Sequence, residues 1–324
     1  MATIGTDIQQ AAVYLRNGEL VAIPTETVYG LAANALDPDA VLRIFEAKQR
    51  PSFDPLIVHC KSFDAAMSYI KTAPRSAVAL AEAVCPGPMT LILPKRDIVP
   101  DLVTSGHSTV GIRIPRHPVT QDLLNELDFP LAAPSANPFG YVSPTTAQHV
   151  DHQLGGRIPY ILDGGPCEIG IESTIVSFEG EKPIVLRLGG LALEELEEAL
   201  GEPLGDVRTS SSRPEAPGML IAHYAPGKKV VFSFWASRPD AGVERSGQRV
   251  GLLCLSRPSD VPNDVPVIEL SPSRDLKEAA RNLFAALRAF DTMKVDLVIA
   301  EPLPDTQLGR AMNDRLKRAA ASSS

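Results

Sequence analysis

The first 200 residues alternate between helical patterns and short apolar runs. Residues 7–16 carry apolar side chains three and four positions apart, which predicts an amphipathic helix. Asp37-Pro38 combines an N-cap with proline at the first helical position, so a second helix is predicted to run through Lys48. Further helices are predicted at 118–127 and 193–200, and strands at 20–23, 56–58, 89–93, 110–114, 131–133, 160–162, 174–178 and 184–188. This alternation predicts an α/β fold with one large twisted open sheet flanked by helices, residues 1–200 forming one domain.

The periodic pattern stops after residue 200 and resumes at residue 230. Residues 208–217 are rich in serine and proline, a composition typical of an extended linker. A connection this long is either a tether or a functional loop, and residues 201–229 are interpreted as a linker or lid. Residues 230–324 again alternate between apolar runs and helical patterns, which predicts a smaller α/β, Rossmann-like domain. Its predicted strands are 230–234, 250–255, 267–270 and 295–300, and its predicted helices are 274–290 and 308–320.

Composition and charge narrow the functional classes. The formal net charge of −8 disfavours a general nucleic-acid coat, although a few Lys and Arg side chains can still form a local phosphate site. The N-terminal residues lack the pattern of a secretory signal, and no apolar run is long enough for a membrane span. The four cysteines match no metal or redox spacing. We therefore expect a cytoplasmic protein with reduced, mostly buried cysteines and no membrane contact.

Generic catalytic motifs are missing from the sequence. It contains no phosphate-binding P-loop, no dinucleotide-binding glycine motif and no nucleophile elbow. His149 and His152 could share one face of a helix, but no third ligand is near them in sequence, so no protein-held metal site is predicted. The chemistry must therefore come from other residues.

Polar clusters follow several of the predicted strands, where α/β sheets place their ligands. Each cluster on its own is also compatible with ordinary turn chemistry. Arg113 is different, because it lies inside an apolar strand and a buried guanidinium needs an anionic partner. The clusters are residues 24–30, 48–51, 54–59, 109–115, 133–137 with Ser143, 172–176 and 186–189.

Taken together and in this order, the clusters resemble the YrdC-like family, specifically its threonylcarbamoyl-AMP synthases. The N-terminal region carries Pro-Thr-Glu-Thr-x-Tyr-Gly from Pro24, Lys-x-Arg-Pro from Lys48, Ser-x-Asn from Ser135 and Ser-Thr-Ile-Val from Ser173. The segments 217–226 and 308–316 resemble the two-domain branch of the family. The resemblance covers essentially the whole chain. It implies the synthesis of threonylcarbamoyl-AMP and pyrophosphate from ATP, bicarbonate and L-threonine, and transfer of the product to a tRNA threonylcarbamoyl transferase complex.

The resemblance also implies roles for individual residues. Lys48 and Arg50 are expected to neutralise phosphates in catalysis, and Asn137 is expected to support its loop. Threonine is expected to bind through Arg113, which would clamp its carboxylate, and through Thr27, His59, Ser173 and the backbone of Ala133. The residues expected on the ATP side are Arg50, Asp54, Thr109, Ser135, Ser143, Arg187 and, from the linker, Tyr224.

One position departs from the family pattern. Asp54 stands where the family commonly has asparagine, and an ionised aspartate can only accept hydrogen bonds. A direct contact with the triphosphate is therefore disfavoured, whereas a ribose hydroxyl or a magnesium ion would suit this side chain. Mg²⁺ is expected to accompany ATP, with ligands that the sequence does not identify.

Two alternatives stay open. Some YrdC-like proteins are proposed to bind RNA, and the last predicted helix carries Arg310, Arg315, Lys317 and Arg318. We interpret these residues as a charged surface face, which leaves weak RNA binding as a secondary expectation. The YrdC-like module of hydrogenase-maturation proteins performs a related chemistry, but those proteins carry acylphosphatase-like and zinc-binding segments that this chain lacks.

Overall fold

The computed structural model describes residues 1–180, 182–205, 207–208, 216–219, 224–237 and 248–322. These residues form two compact units. The first comprises Met1–Phe139, Ser143–Glu168 and Glu172–Leu220, and the second comprises Gly140–Val142, Ile169–Ile171 and Ile221–Ser324. The predicted linker therefore contributes to both, residues 216–219 to the first unit and residues 224–229 to the second. The described helices include none with both the length and the apolar composition that a membrane crossing requires.

Ten strands of the described first unit form one mixed sheet, in the order β1-β8-β2-β3-β7-β4-β6-β5-β9-β10. The large α/β sheet predicted from the sequence is thus confirmed. The strands are β1 (Thr3–Gly5), β2 (Val21–Ile23), β3 (Gly30–Asn34), β4 (Ile57–His59), β5 (Met89–Pro94), β6 (Thr109–Arg113), β7 (Leu131–Ala132), β8 (Tyr160–Leu162), β9 (Thr174–Ser177) and β10 (Ile184–Arg187). Strands β1 and β3 were not predicted, and β3 is composed largely of glycine and alanine, which have low strand propensity.

Four of the eight described helices of the first unit begin after a residue whose side chain accepts from a free N–H group of the first turn. Asp7 accepts from the amide of Gln10 at the start of α1, and Asp37 caps α2 in the same way. Helix α2 ends at Lys48, and the C-cap Gln49 has a left-handed φ of 52° that turns the chain there. The helices are α1 (Ile8–Arg16), α2 (Pro38–Lys48), α3 (Phe63–Ala66), α4 (Arg75–Val84), α5 (Asp101–Thr104), α6 (Pro118–Glu126), α7 (Ala147–Leu154) and α8 (Leu193–Leu200).

Side chains alternate between the two faces of this sheet, and the faces are covered differently. One face carries the largest apolar cluster, which includes Val58, Leu91 and Ile112. On the other face, α1 and α6 cover the half formed by β8, β2, β3 and β7. The other half of that face carries a small apolar cluster that includes Ile57, Ile92 and Ile175, together with the polar side chains described below. We call this half, formed by β4, β6, β5 and β9, the site face.

The second unit contains a four-stranded parallel sheet in the order β11-β14-β12-β13. Parallel strands joined through helices are the architecture predicted for this region, and the Rossmann-like α/β prediction is confirmed. Helix α9 begins at the N-cap Asp275, whose carboxylate accepts from the amides of Lys277 and Glu278. The elements are β11 (Lys229–Phe232), β12 (Val250–Cys254), β13 (Val267–Glu269), α9 (Leu276–Thr292), β14 (Leu297–Ala300) and α10 (Leu308–Ala321).

Helix α10 corrects one expectation. Its basic residues were interpreted as a charged surface face, but Arg315 is fully buried and Arg318 is 6% exposed. Both guanidinium groups lie within 2.9 Å of the Asp314 carboxylate, and the Arg315 guanidinium also lies over the ring of Tyr224. These charges turn inward because a carboxylate and an aromatic face compensate them there. They are not available as part of a basic surface.

Candidate functional site

The site face brings several predicted residues into register. His59 pairs with Arg113 across β4 and β6, and Arg113 pairs with Thr90 across β6 and β5. These three side chains therefore lie in one row on neighbouring strands. Gly111 lies two residues before Arg113, and a Cβ there would be 3.2 Å from the methyl group of Thr90. Because residue 111 has no side chain, no side-chain atoms project from the middle of the site face at this position.

Arg113 is held by the loop that follows β2. Its Nη2 donates to Glu26 Oε1 at 2.8 Å, to Thr27 Oγ1 at 2.8 Å and to Thr25 Oγ1 at 3.3 Å. Arg113 is 4% exposed and Glu26 is 2% exposed, so this is a buried ion pair. The Nε of Arg113 is buried without a hydrogen-bond partner among the described residues. The guanidinium thus retains a donor for a further anionic group.

The remaining threonine-side residues lie near this guanidinium but differ in availability. His59 is buried, and burial together with the positive charge of Arg113 lowers its pKa to about 3, so the ring is neutral at physiological pH. Its Nδ1 lies 3.3 Å from the carbonyl oxygen of Ile57. Ser173 and Thr90 share a hydrogen bond of 2.8 Å. The Ala133 amide already donates to the Ile57 carbonyl at 3.0 Å, which limits what the backbone of Ala133 can offer a ligand.

Lys48 lies at the end of helix α2 and is 1% exposed. Its Nζ donates to the carbonyl oxygen of Ser135 at 2.5 Å and to that of Asn137. Burial lowers its pKa well below the ordinary value, and the nearby Arg50 lowers it further. The predicted segment Ser135–Asn137 thus contacts Lys48 through its main-chain carbonyl oxygens, which accept hydrogen bonds from Nζ.

Arg50 and Asp54 form a second buried ion pair, with 2.8 Å between Arg50 Nη2 and Asp54 Oδ2. Arg50 also donates to the carbonyl oxygens of Asp54 at 3.2 Å and Pro55 at 2.9 Å. Burial raises the pKa of Asp54, and the charges of Arg50, Lys48 and Arg187 act in the opposite direction. Asp54 is 1% exposed, and its Oδ1 has no hydrogen-bond partner within the described part of the chain.

Arg187 connects the two sets of predicted residues. Its guanidinium donates to the Ser173 carbonyl at 3.0 and 2.9 Å, to the Ser173 hydroxyl at 3.0 Å and to the Pro217 carbonyl at 3.2 Å. Gly189 packs closely against the backbone of Ser173, because a Cβ there would lie 2.5 Å from the Ser173 carbonyl oxygen. Arg187 is therefore bonded to a predicted threonine ligand and to the linker segment.

Residues 216–219 of the predicted lid pack on the site face. Ala216 and Met219 are buried in the same apolar cluster as Ile57, Ile92 and Ile175. Leu220, Ile221 and His223 of the predicted lid lie outside the described residues. A lid role for residues 201–229 stays a prediction.

Tyr224 belongs to the second unit, where its ring stacks on Phe284 with centroids 5.7 Å apart. The Arg315 guanidinium lies 4.9 Å from the same ring, and Tyr224 is 1% exposed. Its backbone has a left-handed φ of 66°. A contact between Tyr224 and ATP stays a prediction.

Two other predicted ATP ligands are placed less centrally or are engaged elsewhere. Thr109 and Arg113 are the first and last residues of β6, about 13 Å apart at roughly 3.3 Å per residue. Ser143 is buried, and its hydroxyl donates to Glu172 Oε1 at 2.6 Å. Their roles toward ATP also stay predictions.

Four contributing residues were not predicted as part of the site: Thr25, Glu26, Thr90 and Glu172. Three of them lie inside or beside motifs that were noticed, and Glu26 could have been inferred from the anionic partner that Arg113 requires. Thr90 lies within an apolar run and carries no local signal. Within the described ranges, no group of three or more His, Cys, Asp and Glu side chains could hold a metal ion by itself.

Comparisons with known proteins agree with this arrangement. A family model described as "Telomere recombination", covering Sua5, YciO and YrdC proteins, matches residues 13–189, and the model "Threonylcarbamoyl-AMP synthase, C-terminal domain" matches residues 191–321. A threonylcarbamoyl-AMP synthase of Bacillus subtilis is 42% identical, with 99% of this chain and 94% of that protein covered. One from Pyrococcus abyssi is also 42% identical, with coverages of 96% and 93%. The crystal structure of P. abyssi Sua5 complexed with L-threonine matches with a TM-score of 0.92 and 39% identity, covering 100% of this chain and 98% of that one.

Proposed function

This chain belongs to the threonylcarbamoyl-AMP synthase family, and we propose that it forms threonylcarbamoyl-AMP and pyrophosphate from L-threonine, bicarbonate and ATP, as a nucleotidyltransferase. The observation that carries the proposal is the pairing of two cationic groups in the first unit. Arg113 with its free Nε forms one, and Lys48, Arg50 and Arg187 form the other. A reaction that joins an amino acid to a nucleotide needs two such anion sites within reach of each other.

The threonine side follows from the chemistry of the Arg113 guanidinium. A carboxylate accepting from Nε would form a charge-assisted hydrogen bond that leaves the Glu26 contact intact. Neutral His59 and the hydroxyls of Thr27 and Ser173 offer further polar contacts without adding charge. The threonine amine would then react with carbon dioxide derived from bicarbonate to give a carbamate.

On the nucleotide side, the carbamate oxygen attacks the α-phosphorus of ATP and pyrophosphate leaves. This step needs no protein nucleophile, so the residues act by positioning the reactants and by neutralising charge. Lys48 and Arg50 would face the phosphates, and phosphate charge favours the protonated form of Lys48 against the effect of burial. Arg187 supports both sides because it holds Ser173. The packed segment 216–219 supports exclusion of water from a product that hydrolyses readily.

Magnesium accompanies ATP in this proposal, and it would supply positive charge to the phosphates. The buried Asp54 Oδ1 fits such an ion, because it is a carboxylate oxygen without a partner in the described part of the chain. Transfer of the product to a tRNA threonylcarbamoyl transferase complex is proposed on the family's chemistry. A role as a simple RNA-binding protein is not favoured, since Arg315 and Arg318 are buried.

The test is pyrophosphate release with each substrate omitted in turn. We expect release to require L-threonine and bicarbonate together with ATP. Serine should be poorer by roughly 5- to 150-fold, because one methyl group in a pocket contributes about 1–3 kcal/mol of discrimination. ATP turnover that is unchanged when threonine is omitted would refute the proposed reaction.

A further inference from the structure

A buried aspartate lies among the cations proposed for the triphosphate. The Asp54 carboxylate is 2.8 Å from Arg50, and the charges of Lys48 and Arg187 also act on it. Its Oδ1 accepts no hydrogen bond from any described residue although the side chain is 1% exposed. A buried carboxylate oxygen normally has a partner, so this atom points to a ligand.

The cations around Asp54 are already engaged with protein oxygens. Lys48 donates to two main-chain carbonyls, and Arg187 donates to Ser173 and Pro217. Arg50 is bonded to Asp54 and Pro55, so the carboxylate offsets its charge. A triphosphate entering this group would meet a carboxylate as well as the cations. Like charges in a buried site repel strongly unless a cation lies between them.

We propose that Asp54 is a protein ligand for the Mg²⁺ ion that arrives with ATP, and that it makes nucleotide binding dependent on that ion. The inference rests on the proposed function. Mg²⁺ prefers oxygen ligands and is commonly held by one or two carboxylates together with substrate phosphates and water. The described residues contain no group of three or more His, Cys, Asp and Glu side chains that could hold the ion without the nucleotide. One free carboxylate oxygen beside the phosphate-binding cations matches this mode of binding.

A ribose hydroxyl is the other ligand that suits an aspartate. The surroundings favour the metal, because the charges that act on Asp54 are those of Lys48, Arg50 and Arg187, the residues proposed to bind the phosphates. Asp54→Asn separates the two readings. The amide keeps the size of the side chain, removes the charge and can still bond a hydroxyl, but it is a weak ligand for Mg²⁺.

The experiment is calorimetric titration of a non-hydrolysable ATP analogue in EDTA and in excess Mg²⁺. For the wild-type chain we expect affinity to rise at least about tenfold with Mg²⁺, equivalent to about 1.4 kcal/mol. Asp54→Asn should bind the analogue more tightly than the wild type in EDTA and should respond to Mg²⁺ by less than roughly threefold. Asp97→Asn is the matched control, since that side chain is 96% exposed, and its Mg²⁺ response should equal that of the wild type.

Three outcomes would overturn the inference. The first is equal wild-type affinity in EDTA and Mg²⁺, and the second is an unchanged Mg²⁺ response in Asp54→Asn. The third is a loss of adenosine affinity in Asp54→Ala that is independent of Mg²⁺ and that Asp54→Asn does not share, which would identify a ribose contact. If the wild-type chain bound no ATP analogue in either buffer, the proposed function itself would fail. Threonine-dependent pyrophosphate release alongside any of the first three outcomes would leave the function standing.

Discussion

Replacing Arg113 by alanine should reduce both threonine affinity and stability, for different reasons. A guanidinium that binds a carboxylate contributes about 1.5–3 kcal/mol per charge-assisted hydrogen bond. Loss of the one bond available from Nε should therefore weaken threonine binding roughly 10- to 150-fold. The same change leaves the Glu26 carboxylate, which is 2% exposed, without its cation. Breaking a buried ion pair in this way costs about 3–5 kcal/mol.

The double variant Arg113→Ala/Glu26→Gln separates these effects. Removing the Glu26 charge should restore at least about 2 kcal/mol of the lost free energy of unfolding, since the uncompensated anion is gone. Threonine affinity should stay low, because the guanidinium is still missing. Urea unfolding and calorimetric titration with L-threonine measure the two quantities.

Arg116→Ala is the matched control for these measurements. Its guanidinium is half exposed and forms a surface ion pair of 3.2 Å with Glu168. Such pairs contribute at most about 1 kcal/mol, so stability and threonine affinity should change little. Normal threonine binding by the double variant would refute the carboxylate clamp. A double variant as unstable as Arg113→Ala would refute the ion-pair reasoning.

The remaining predictions concern three other positions. The pKa of His59 is about 3 in the folded chain and about 6.5 in the unfolded chain, so between these pH values only the unfolded state binds the proton. The free energy of unfolding should therefore fall by about 1.4 kcal/mol per pH unit as the pH is lowered from 6.5 to 3. Urea unfolding at several pH values should show a shallower slope for His59→Gln, and an unchanged slope would contradict a neutral buried histidine. Gly189→Ala should lower the free energy of unfolding by about 1–3 kcal/mol and raise KM for threonine, because the added Cβ would lie 2.5 Å from the Ser173 carbonyl oxygen. Wild-type values of both quantities would argue against this close approach. Tyr224→Ala should lower the stability of the second unit by about 3–5 kcal/mol, because the ring packs under Arg315, whereas Tyr224→Phe should keep that packing. Weaker ATP binding in Tyr224→Phe would support a contact from the hydroxyl, and unchanged binding would argue against it.

Local patterns along the chain determined much of the secondary structure. The start of α2 follows from Asp37-Pro38, whose cap and fixed φ act within a few residues. Residues 160–162 and 174–177 carry aromatic and β-branched side chains, which favour strands. Helix α4 was not predicted, and its N-cap Pro74 makes no side-chain hydrogen bond to the first turn.

The sequence by itself also determined that Arg113 needs an anionic partner, because a charge inside an apolar strand cannot stay uncompensated. Only the tertiary structure decided that Glu26, 87 positions away, is that partner. The reason is the strand order, which brings the loop after β2 to the end of β6 through a pairing that no local pattern encodes. Tertiary packing likewise decided that Arg315 lies under Tyr224 rather than at the surface, since a helix does not specify what covers each of its faces. Chain-local propensity acts over a few residues, whereas these contacts depend on burial that only the assembled sheets create.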